Sequence, residues 1–139
     1  MDKSDHRWLR AVILLGVVYL VVGLTFARLA AWSGSDRLRI MWRLAAFLAS
    51  AAVFAAHIGY EHFRLGNSPR TTALHSSMAV ALGAFALAVA ANVHAQWAAS
   101  NNPRSLALAL VAWPALCGLP AFVVGLAAAA GLALTRRPD

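Results

Sequence analysis

Four uninterrupted apolar tracts decide what this chain can fold into: AVILLGVVYLVVGLTFA (Ala11 to Ala27), LAAFLASAAVFAAHIGY (Leu44 to Tyr60), MAVALGAFALAVAANV (Met78 to Val93) and LALALVAWPALCGLPAFVVGLAAAAGLAL (Leu106 to Leu134). Hydrocarbon offers no partners for backbone N–H and C=O groups, so a tract embedded in lipid must satisfy them internally, as a helix does. With its uncharged flanks, each tract reaches the roughly 17 to 25 residues that carry a helix across about 30 Å of hydrocarbon. The third relies most on alanine, which contributes little insertion energy.

Only 12% of the 139 residues are charged and 61% are hydrophobic, whereas a soluble domain is about 25% charged. The missing solvent is lipid. The expected fold class is an all-α membrane protein, a single domain over residues 1–139 in which four transmembrane helices with short loops form an up-down-up-down bundle.

Turn chemistry sets the expected boundaries at about 7–32, 36–65, 70–98 and 104–136. In SGSD, Ser35 or Asp36 can cap the second helix by accepting from its free N–H groups. GNSP combines Gly66, which tolerates a left-handed backbone, with Pro69, which starts a helix well but cannot continue one. SNNPRS repeats that logic at Pro103. Trp8, Trp32, Trp42 and Trp97 fall at these helix ends, where an aromatic belt would sit. The first tract reads as a retained helix rather than a signal peptide, because its seventeen apolar residues exceed an h-region of about 7 to 15.

The formal charge is +7, but Lys and Arg are spread over every inter-tract segment. They form no basic face for nucleic acid, and the expected partner is the bilayer, with a homo-oligomer or larger membrane complex as a further candidate. Arginine outnumbers lysine eleven to one in an alanine-rich chain, a composition of GC-rich bacterial genomes, which points to an inner membrane. Placing the N-terminus inside puts Lys3, Arg7, Arg10, Arg64, Arg70, Arg136 and Arg137 in the cytoplasm and Arg28, Arg37, Arg39, Arg43 and Arg104 opposite, seven against five. That bias favours cytoplasmic N- and C-termini. The single cysteine, Cys117, allows no intrachain disulfide and reads as a small apolar filler.

Polarity concentrates in HIGYEHFRLGNSPRTTALH, from His57 to His75. On the second helix Arg43, Ser50, His57 and Arg64 recur every seven residues, and Glu61 follows His57 by one turn on the same face. Folding back at Asn67 and Ser68 brings His75 level with Tyr60. His57, Tyr60, Glu61, Arg64 and His75 therefore form one candidate proton or ligand site. The competing reading is that they are interfacial side chains satisfying one another, since His57 and His75 lie about one turn from the apolar boundaries. His62 points about 140° from His57 and is expected to meet headgroups. At the opposite end, Arg43, Asn92 and His94 are expected to pair across the same hairpin. Pro114 and Pro120 are expected to kink the fourth helix. Small-residue ridges at Gly16, Gly23 and Ala27, at Ala79, Gly83, Ala86 and Ala90, and at Gly118, Ala121 and Gly125 are expected to pack helices within the chain.

No cofactor is specified. A haem b or metal ion is the alternative, with His57 and His75 as the pair that approaches one depth on two helices. Catalysis is not encoded by any recognisable motif: G-x-S-x-G, paired carboxylates and a phosphate-binding glycine loop are missing, and Ser76 and Ser77 point away from their neighbour His75. An acid/base enzyme using Glu61 and His57 is the third candidate. The leading expectation is a non-catalytic transport-like or accessory membrane module.

Overall fold

The computed structural model describes residues 5–97 and 103–135, which form α1 (Asp5–Ala31), α2 (Asp36–Phe63), α3 (Pro69–Trp97) and α4 (Pro103–Thr135) in a helical bundle without strands among them. All four helices are long and apolar enough to cross a membrane. Lys3, Arg136 and Arg137, and the SNNPRS turn as far as Asn102, lie outside the described residues.

Local chemistry sets the ends. Ser35 is extended, at φ −139° and ψ 150°, and its hydroxyl accepts from the Leu38 amide. Asp36 takes the Arg39 guanidinium at 2.8 Å in the first turn. α2 ends two residues short of the expected Leu65, because the chain turns through Gly66 at φ 64°, a left-handed conformation that costs other residues about 1 kcal/mol or more. The Asn67 amide then folds back to the Glu61 carbonyl. Ser68 opens α3 by accepting from Thr71 N–H, with Pro69 in the first helical position.

α3 is the central helix. It packs most extensively on α4 and next on α1, while α2 leans mainly on α1 and touches α3 and α4 less. The core consists largely of small residues, with Ala73, Ala79, Ala84, Ala88 and Ala129 buried, and Val12 and Tyr19 fill the α1 side. Large side chains such as Leu14, Phe47, Val111 and Leu119 point outward. Lipid provides no hydrophobic drive between helices, so close backbone approach through small residues has to supply the cohesion.

The ridges carry that approach inside the chain. A Cβ on Gly16 would lie 2.8 Å from Leu82, one on Gly23 2.6 Å from Leu87, and one on Gly118 3.1 Å from the Ala81 Cβ. Gly125 of α4 meets both Ser76 of α3 and Phe54 of α2. Ala27, by contrast, is exposed. α4 runs as one helix through Pro114 and Pro120. Pro120 borders a cleft of about 440 Å³ that all four helices line, and Pro114 borders a shallower groove between α3 and α4.

Candidate functional site

The buried polar side chains among the described residues are His57, Glu61, His62, Thr72, Ser76 and Ser77. All lie on the facing ends of α2 and α3, on either side of the Gly66 turn. Burying a polar group costs free energy unless it is hydrogen-bonded, and apart from the Tyr19 hydroxyl on α1 that cost falls in one place among the described residues.

Glu61 is its centre, with a fully buried side chain. Its carboxylate accepts from Asn67 Nδ2, lies 3.2 Å from His75 Nδ1 through each oxygen, and stands 3.5 Å from His57 Nε2. Local geometry explains the convergence. His57 and Glu61 are one helical turn apart on α2, Asn67 returns over the helix end, and His75 comes from the second turn of α3. Trp8 of α1 covers the outer side, stacked on the His75 ring at 4.9 Å with 7° between planes. Side-chain exposure falls inward, from 12% at His75 to none at Glu61 and His57. Ser76 and Ser77 spend their hydroxyls on the carbonyls of Thr72, Ala73 and Leu74. The Thr72 hydroxyl and both ring nitrogens of His57 have no hydrogen-bond partner among the described residues, the 3.5 Å approach of Nε2 to Glu61 being a charge contact.

Of the expected cluster, His57, Glu61 and His75 come together, and Tyr60 and Arg64 do not. Tyr60 is half exposed and Arg64 exposed. His62 departs from its expected headgroup position. It is 3% exposed and meets Phe63 edge-on at 5.0 Å. Two side chains about 140° apart can both be buried because α2 has α1, α3 and α4 packed around it. Asn67 and Trp8 were not expected in the site. An amide six residues after a buried carboxylate, just past a turn glycine, is the signal for Asn67. Trp8 carries no comparable signal, because its role depends on how α1 docks.

The opposite-end trio is not a unit either. The Asn92 amide donates to the carbonyl of Ala88 at 2.8 Å and of Leu106 on α4 at 2.9 Å, rather than pairing with Arg43. Arg43 faces a groove beside α1, and His94 is exposed next to Val93 and Trp97. Asn92 is therefore a cross-helix tie. Asn92→Leu is expected to lower the stability of the α3–α4 pair by about 0.6 to 1.7 kcal/mol, the range for polar contacts between membrane helices. Thermal unfolding in detergent measures it, and an unchanged midpoint would mean that the Leu106 contact carries no stability.

No three or more of the described His, Cys, Asp and Glu side chains are grouped to hold a metal ion. The fold and site together define a helical membrane protein with one buried ionisable cluster near a bundle end. No protein-family model, curated protein or solved structure matches the chain.

Proposed function

We propose that this chain is a non-catalytic inner-membrane protein, a transport-like or accessory module that passes protons through the Glu61 carboxylate. The observation that carries this reading is a fully buried carboxylate between two imidazoles of graded exposure, 12% at His75 and none at His57. An intramembrane ionisable group is expensive to keep and is a functional suspect for that reason. Imidazole changes charge near neutral pH. His75, at the wetter end, can take a proton from the headgroup region and share it with Glu61. His57, one turn deeper, can receive it there through Nε2, 3.5 Å from the carboxylate.

Reconstituted vesicles carrying an internal pH indicator test the reading. The parent protein is expected to support pH-dependent proton flux, and both Glu61→Gln and His57→Leu are expected to fold and to abolish it. Glu61→Gln retains shape and an acceptor but cannot exchange charge. No flux in the parent at any pH, or flux in both variants unchanged from the parent, would leave only interfacial polar residues. Charge bias further orients the module with both termini in the cytoplasm, so a reporter fused at the C-terminus is expected to read cytoplasmic and one in the SNNPRS loop external. The opposite pattern at both sites would reverse the orientation.

The alternative is a haem b or metal ion held by His57 and His75: a haem requires both rings to turn away from the carboxylate that now lies 3.5 and 3.2 Å from them, whereas a metal ion would share that carboxylate with them. A Soret band, or stoichiometric metal by elemental analysis of the purified protein, would replace the proton reading with that one.

A further inference from the structure

At the end of the bundle away from Glu61, a groove of about 400 Å³ lies between α1 and α2. Gly23, Ala27, Ala30 and Ala46 form its floor, Phe26 one wall, and Arg39 and Arg43 stand at its mouth. Gly23 lies eight helical steps before Ala31, so the floor descends about 12 Å from the helix end into the apolar layer. Phe26 and Trp42 meet at 6.0 Å across the two helices and mark the headgroup level.

The charge at this mouth is unbalanced. Between Arg28 and Arg43 the chain carries four arginines, and Asp36 is the one acid. Asp36 engages one nitrogen of Arg39 and leaves its other donors uncommitted. Arg43 has no ion-pair partner among the described residues. Arg39 and Arg43 are one turn apart on the same helix, and like charges in that register repel unless an anion lies between them. A groove with a cationic mouth and a narrow apolar floor asks for an occupant with one anionic group on an aliphatic chain. In a bilayer that occupant is already present.

We infer that the α1–α2 groove binds an anionic phospholipid, with its phosphate on the Arg39 and Arg43 guanidiniums and an acyl chain along the alanine floor. Guanidinium matches phosphate oxygens in paired hydrogen bonds, and basic pockets between membrane helices are places where acidic lipid headgroups dock. The missing side-chain volume at Ala27 and Ala30 gives the chain its path.

Native mass spectrometry of the full chain in detergent, with equal amounts of dioleoylphosphatidylglycerol and dioleoylphosphatidylcholine, tests this. Phosphatidylglycerol adducts are expected to predominate. Arg43→Gln is expected to weaken them about fivefold, and Arg39→Gln with Arg43→Gln to bring the two lipids level. Arg28→Gln, which removes an exposed charge outside the groove, is expected to change nothing. Ala27→Leu fills the floor and is expected to weaken both lipids while preserving the preference. Excess glycerol 1-phosphate, which has the anion without the chain, is expected not to displace the lipid. Equal binding of both lipids by the parent, an effect of Arg28→Gln as large as that of Arg43→Gln, or displacement by glycerol 1-phosphate would each overturn the inference. They would point respectively to general annular lipid, diffuse surface charge or a soluble-anion site.

Discussion

Glu61→Ala is expected to cost about 2 kcal/mol of fold stability, because the two hydrogen-bonding partners, Asn67 and His75, lose one shared acceptor at roughly 1 kcal/mol each. Asn67 Nδ2, His75 Nδ1 and His57 Nε2 all converge on that carboxylate, and no solvent reaches it to take its place. Glu61→Gln keeps an oxygen for one of them and is expected to cost about 1 kcal/mol. The informative measurement is a double-mutant cycle. Removing one member of a buried polar pair leaves the other unsatisfied, whereas replacing both by apolar side chains can be neutral or stabilising. His57→Leu in the Glu61→Leu background is therefore expected to recover stability that His57→Leu in the parent does not. If the two substitutions simply add, to within about 0.5 kcal/mol, the His57–Glu61 contact at 3.5 Å is energetically idle and the cluster reduces to Glu61, Asn67 and His75. This measurement concerns the fold and is independent of whether protons move.

The helices were legible because their signal is local. An apolar tract needs no partner to be recognised, and Ser35, Gly66 and Pro69 act through their own backbone and nearest turns. The pairing of His57 with Glu61 is equally local, being one helical turn. His75 became readable through a single additional step, the hairpin at Asn67. What failed to show was whatever depended on the placement of non-adjacent helices. α3 packs more extensively on α1 than on α2, which depth along a hairpin does not reveal. From that follows Trp8 over His75, while Asn92 turns toward Leu106 of α4 instead of Arg43 because α3 packs most extensively on α4. Tyr60 was placed by depth alone. Depth fixes a position along the axis, but whether a side chain faces the bundle or the lipid is set by rotation about it.

Gly83→Leu is expected to be the most damaging single change in the apolar part of the bundle, at about 3 kcal/mol, the upper range for overpacking. A Cβ on Gly83 would lie 2.5 Å from the Tyr19 Cβ and 3.1 Å from the Gly16 carbonyl oxygen. Neither is the end of a flexible side chain that can swing aside, so α1 and α3 have to separate. Gly16 and Gly23 present a milder case, because a Cβ there meets the distal carbons of Leu82 and Leu87, which can change rotamer. Leu87→Ala removes part of a half-buried side chain in a setting without a water-to-core transfer term, and about 1 kcal/mol of lost packing is expected. Gly59 supplies the control. A Cβ at that position meets nothing within 4 Å, so Gly59→Ala is expected to be neutral or to gain a few tenths from helix propensity. The expected order of thermal stability in detergent is Gly59→Ala at or above the parent, then Leu87→Ala, then Gly83→Leu. A Gly83→Leu protein as stable as the parent would place that face of α3 against lipid and separate it from α1. Because Trp8 reaches His75 from the same α1, the separation of α1 from α3 that the inserted leucine forces is also expected to unstack that pair and uncover the Glu61 cluster.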